Sequence, residues 1–83
     1  MITSRQVRAA RALLGWTQEM LADKALVALT ALKRLESANE MPVREDTRYQ
    51  VVQALEAAGI VFLDSEQGEG LMLVRGLSEQ PSQ

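Results

Sequence analysis

The chain has 83 residues, 47% hydrophobic and 24% charged, with a net charge of −2, which suits one soluble domain with one core and leaves no room for two. It contains no cysteine and no histidine, which excludes disulfides, thiol chemistry and the usual zinc sites, and the scattered carboxylates offer no metal site. No apolar run reaches membrane-spanning length, and the basic opening MITSRQVRAARALLGW lacks the continuous apolar stretch of a secretory signal; a cytoplasmic protein without metal or cofactor is expected.

Thr3-Ser4-Arg5-Gln6 fits a capping box, a Thr at the cap and a Gln three residues on, each able to satisfy an orphan amide. Val7, Ala10, Leu13 and Leu14 then recur at helical spacing, which predicts a first helix from about Ser4 to Leu14, stopped by Gly15. Arg5, Arg8 and Arg11 fall near one another on it. Thr17 caps a second helix, with Glu19 in its first turn, Leu21, Ala22 and Ala25 as its apolar stripe, and an end near Lys24 or Ala25. A third helix covers about Ala28 to Ser37, with Ala31, Leu32 and Leu35 facing inward. Pro42 bars helix through the turn-rich connector Ser37–Pro42. Val51, Val52, Leu55 and Ala58 mark a fourth helix from about Glu45 to Ala58, with Gly59 as its stop.

The period then changes. Ile60-Val61-Phe62-Leu63 and Leu71-Met72-Leu73-Val74 are short β-prone runs around a polar, glycine-bearing loop, residues 64–70, which predicts a two-stranded β-hairpin. Neither run alternates apolar with polar, so both faces call for burial: one on the helices, the other on a second copy of the chain. Homodimerisation through Ile60, Phe62, Leu71 and Leu73 is expected, the other possibility being that the helices cover more of the hairpin. The organisation expected is a helical bundle over 1–58, a hairpin extension of the same domain over 59–76, and a polar, disordered tail over 77–83.

With Gln18 in the first position of a helix-turn-helix, Ala22 supplies the small residue where the second helix crosses closely, and Leu21, Ala25, Val27, Leu32 and Leu35 fill the apolar positions that glue the pair to its neighbours. TSRQVRAARALLGWTQEMLA, followed by a helix ending in KRLES, resembles the Cro and phage-repressor type of helix-turn-helix, also called the XRE family. ALEAAGIVFLD, the glycine-bearing loop and LMLV resemble a C-terminal extension of small bacterial regulators of this type. The likeness covers roughly residues 3–75. It implies a mainly α fold, a lambda-repressor-like bundle of four to five helices with a C-terminal two-stranded hairpin, and a transcriptional regulator that dimerises on double-stranded operator DNA.

Carried over residue by residue, the resemblance implies that Thr17 and Gln18 open the second helix against a DNA phosphate, a role suited to exposed amides at a helix N-terminus. It makes Arg11 and Glu36 an architectural ion pair between the first and third helices. It sets Arg44 against the DNA backbone and places Lys33 and Arg34 on the third helix, one toward bases and the other toward phosphate. Two departures stand out. The turn after the second helix is usually glycine in the family, and here it is Leu26, at a cost on the order of 1 kcal/mol for a left-handed backbone. Ala28, Leu29 and Ala31 occupy the start of the third helix, where the family often has polar residues and the helix meets base edges. Alanine and leucine touch thymine methyls but make no bidentate bonds, so Thr30 and Arg34 remain as the hydrogen-bonding readers.

Three readings follow. In the first, a homodimeric DNA-binding regulator reads two half-sites through Arg34, Thr30, methyl contacts from Leu29 and Ala28, and DNA shape. In the second, the outer face has become a protein-binding surface, antitoxin-like or partner-binding, with Leu29, Ala28 and Met20 as an apolar patch. In the third, Leu29 tucks inward and the helix is rotated so that Arg34 leaves the groove. Charge does not choose between them: eight basic and six acidic side chains in residues 1–48 against one and five in residues 49–83 fit a DNA-facing side but equally a solvated surface, and the acidic net charge of −2 fits the second reading. An enzyme is not expected, since the chain has no histidine or cysteine to serve as base or nucleophile, and helix caps and surface pairs account for Glu36, Glu40, Glu45 and Asp46.

Overall fold

The computed structural model describes residues 2–39 and 41–75. Four helices, α1 (Ser4–Leu14), α2 (Gln18–Ala25), α3 (Leu29–Leu35) and α4 (Glu45–Ala57), precede the strands β1 (Ile60–Ser65) and β2 (Gly68–Leu73). Glu40 of the connector and the tail expected over 77–83 lie outside the described residues. Among the described residues no helix is long and apolar enough to cross a membrane.

Local chemistry sets the helix ends. At α1 the capping box is closed: Thr3 Oγ1 accepts from the Gln6 N–H at 3.2 Å, and Gln6 Oε1 accepts from the Thr3 N–H at 3.0 Å. Gly15 (φ 71°, ψ 27°) ends α1 in the left-handed conformation, with the Trp16 N–H reaching back to Arg11 O at 3.0 Å. The end of α2 repeats this motif with leucine: Leu26 stands at φ 59°, ψ 44°, and the Val27 N–H donates to Ala22 O at 3.0 Å. The α3 helix is shorter at both ends than the sequence spacing suggests. Ala28 is extended, with no side-chain oxygen to cap the helix, and Ser37 lies past the Glu36 C-cap.

Val7 and Ala10 of α1, Leu21, Ala22 and Ala25 of α2, Leu32 and Leu35 of α3, Val51 and Leu55 of α4 and Ile60 of β1 form one buried core. Ile60 within that cluster joins the hairpin to the helical bundle. Leu13 stays exposed, and Ala31, Val52 and Ala58 are half-buried.

The strands run past the apolar sequences because the ladder continues through the pairs Asp64–Glu69 and Ser65–Gly68, leaving Glu66 and Gln67 as the turn. β2 packs mainly on α1 and β1 on α4. Side chains alternate, so Ile60 and Phe62 lie on one face with their partners Leu73 and Leu71, and Val61 and Leu63 lie on the other with Met72 and Gly70. The first set faces the helices: Ile60 is 2% exposed, and Phe62, Leu71 and Leu73 pack against the core. The four residues expected at the dimer contact thus lie on the bundle side of the hairpin. The outward apolar side chains are Val61, Leu63 and Met72, each 40–50% exposed.

Gln6 fixes this choice of face. Its Nε2 donates to both Leu63 O (3.2 Å) and Gly70 O (2.9 Å), a cross-strand pair whose side-chain positions point away from the helices. At the hairpin tip, Arg5 Nε and Thr3 Oγ1 both donate to Glu69 Oε2, at 2.8 and 3.0 Å. The hydrogen bond from Arg5 is the main cause that lowers the Glu69 pKa from its ordinary value, partly opposed by desolvation.

Candidate nucleic-acid interface

The α2–turn–α3 unit is held to the bundle by Leu21, Ala22, Ala25, Leu32 and Leu35, all buried, with Val27 half-buried beside them. Ala22 is 6% exposed. A bulkier side chain there would push α3 off α2.

The outward surface of this unit follows from the same helical phase. Thr30, Lys33 and Arg34 are exposed on α3, and Ala28 is exposed just before it. Leu29 is half-buried and packed against the core. The inward pull of an apolar side chain turns it partly into the core and leaves part of it exposed, short of the open methyl contact expected from the sequence. Arg34 nevertheless stays exposed, so the rotated arrangement, with Arg34 withdrawn, is not what the structure shows. Ala31, half-buried, helps line a cleft of about 310 Å³ shared by Arg34, Pro42, Val43, Arg44 and Thr47. The fold therefore sets Arg34 of α3 and Arg44, the N-cap of α4, on one cleft from opposite sides of the connector. Arg44 also meets Asp46 at 3.4 Å, but both side chains are largely exposed and such a pair is weak.

Behind this surface lies a polar node. Arg11 Nε and Nη2 donate to Glu36 Oε2 and Oε1, both at 2.9 Å, and Arg11 Nη1 donates to Trp16 O at 3.1 Å. The structure thus brings Arg11 and Glu36 together in a two-pronged pair between α1 and the end of α3. Arg8 Nη1 donates to the Glu36 carbonyl, which caps the last turn of α3. The Glu36 side chain is 3% exposed, and the only other side chain reaching it among the described residues is Gln18, whose Nε2 donates to Oε1 at 3.0 Å. Gln18 is the first residue of α2, and this bond occupies one of its two amide N–H donors. Thr17 Oγ1 accepts from the Met20 N–H at 3.1 Å as the α2 N-cap. Trp16 sits half-buried at the α1–α2 corner with Lys24 Nζ 5.0 Å from its ring centre.

Sequence reasoning missed two members of this framework. Gln6 was legible as a capping residue but not as the tie to hairpin carbonyls far along the chain. Arg8 carries a signal in its spacing from Arg11, which puts both on the α3 side of α1. Their acceptors become visible only when the helices are packed.

A family model for the helix-turn-helix matches residues 7–57, more than half of the chain. The chain belongs to this family, the Cro and phage-repressor type, whose members are DNA-binding regulators rather than enzymes. No curated protein matches the chain.

Proposed function

We propose that the protein is a sequence-specific transcriptional regulator that inserts α3 in the major groove of operator DNA, two copies reading half-sites about one helical turn apart. The observation that carries this reading is the outward face of α3: Thr30, Lys33 and Arg34 are exposed together while Leu29 packs inward. A guanidinium on a helix face matches the two acceptors of guanine, and that contact is worth roughly 1–3 kcal/mol of discrimination. Thr30 hydrogen-bonds a neighbouring base, and Ala28 meets a thymine methyl. Lys33 and Arg44 take phosphates. At the start of α2, Thr17 supplies a capped helix N-terminus, and the second amide N–H of Gln18, oriented by Glu36, takes a further phosphate.

Selection of bound sequences from a pool of random duplexes, at low and moderate salt, tests the reading. The expected result is an enriched two-fold motif and affinity that falls steeply with salt. Arg34→Ala is expected to relax the preference at one base pair of each half-site, and Lys33→Ala to weaken all sequences alike and reduce the salt slope by about 1. Failure to bind any duplex at low salt refutes it.

One observation favours a second reading, a protein-binding surface on the same unit. Leu26 is 81% exposed and Met20 41% exposed at the turn and on α2. In that case association with a partner survives high salt and is lost on Leu26→Glu, with no duplex bound.

A further inference from the structure

We propose that the outward face of the β1–β2 hairpin is the contact between two copies of this chain on DNA, and that it is too small to hold them together without DNA. The proposal rests on the DNA-binding reading above.

The face consists of Val61, Leu63 and Ser65 of β1 and Gly68, Gly70 and Met72 of β2. None of the six is charged, in a chain whose residues are 24% charged. The solvent side of an antiparallel sheet ordinarily carries polar residues, and here it carries three large apolar ones at 40–50% exposure. Charge narrows the occupant. The acidic groups of the hairpin, Asp64, Glu66 and Glu69, lie on the inward face or the turn. A two-fold approach through the neutral face sets no like charges opposite one another. The face offers no cation to DNA.

Shape points to a second copy. Leu63 pairs across the hairpin with Gly70, and the space where a side chain on Gly70 would stand is empty to 4 Å. A projecting leucine beside an open notch is self-complementary under a two-fold axis: Leu63 of each copy enters the notch over Gly70 of the other. The hairpin packs mainly on α1 and α4 while α3 packs on α2 and α4, so occupation of this face leaves the outward side of α3 free for DNA.

Area sets the strength. A six-residue strand spans about 20 Å, and two strands with their side chains about 10 Å, so each copy buries on the order of 200 Å² here. Stable free dimers bury roughly 1,200–2,000 Å² in total. The contact therefore acts between neighbours on DNA, where the effective concentration is in the millimolar range.

The test uses the full chain and the duplex enriched by selection, whole and cut to one half-site. Wild type is expected to sediment as a monomer at micromolar concentration, to bind one half-site, and to bind the whole site cooperatively. Leu63→Glu and Gly70→Val are each expected to leave half-site affinity unchanged and to lose about tenfold or more on the whole site. Gly70 does not have a positive φ, and valine suits a strand, so Gly70→Val should keep or raise the melting temperature, which separates a blocked contact from a damaged fold. Cooperativity that survives both substitutions, or a tight dimer without DNA, overturns the proposal while half-site binding keeps the DNA reading standing. Cooperativity that is lost on deletion of residues 76–83 but survives both substitutions assigns the contact to that segment and also overturns the proposal. Failure of the half-site duplex to bind refutes the DNA reading, and pairing on DNA falls with it.

Discussion

The helices α1 and α2 end in the same hydrogen-bonded motif, one with Gly15 and the other with Leu26, and this gives the strain at Leu26 an internal reference. Both residues are left-handed, at φ 71° and 59°. A Cβ added at Gly15 meets nothing within 4 Å, so Gly15→Ala reports the backbone cost alone, about 1 kcal/mol. At position 26 two contributions compete. Burying a whole leucine side chain is worth about 1.5–3 kcal/mol, of which a residue 81% exposed keeps roughly a fifth, about 0.3–0.6 kcal/mol. Leu26→Ala loses that packing and keeps the strain. Leu26→Gly loses the packing and relieves the strain, for a net gain of about 0.5 kcal/mol. Glycine should therefore exceed alanine by about 1 kcal/mol at both positions, or about 4–8 °C in melting temperature for a domain of this size. Urea and thermal unfolding of the four proteins give the comparison. Equal stability of Leu26→Gly and Leu26→Ala would refute the reasoning, because it would show that the turn carries no left-handed cost.

Three further outcomes are expected. Arg11→Met strands Glu36, whose side chain is 3% exposed, with Gln18 as its remaining side-chain partner among the described residues, and should cost about 3–5 kcal/mol in urea unfolding; a loss under about 1 kcal/mol would show the pair to be idle. Gln6→Leu removes the cap on Thr3 and the bonds to Leu63 O and Gly70 O, so it should cost about 1–3 kcal/mol and speed amide exchange in the hairpin ahead of the helices. The carboxyl of Glu69 should titrate below the ordinary glutamate range, chiefly because Arg5 hydrogen-bonds to it, and return toward that range in Arg5→Met, as read by carboxyl NMR. A lowered folded pKa means that its stabilisation is full above the unfolded value and is lost as pH falls through the folded one, so Glu69→Gln should flatten the acid limb of the stability curve.

The four helices were legible because their boundaries are written in short-range chemistry. Thr3 with Gln6, Gly15 and Thr17 act within a few residues of themselves, and the apolar spacing around Ala22 sets the α2–α3 register. The strained turn at Leu26 was equally local: a glycine position filled by leucine. Arg11 and Glu36 were legible only through family resemblance, since nothing in their spacing joins residues on separate helices.

The tertiary structure decided which face of each element does what. In IVFL and LMLV every position is apolar, so the period of two exists but selects no side. Gln6, Thr3 and Arg5 select it by bonding to residues 57 to 66 positions away, and they turn Ile60, Phe62, Leu71 and Leu73 inward against the first expectation. Leu29 was undecided for the same reason. On a seven-residue helix an apolar side chain at the margin suits the groove or the core, and only the placement of α3 over α2 and α4 sends it partly inward and leaves Thr30, Lys33 and Arg34 outside. Local hydrogen bonds and spacing determined the elements and their limits; burial against distant partners determined the surface they present, because an apolar side chain reports a need for cover and not the direction from which the cover comes.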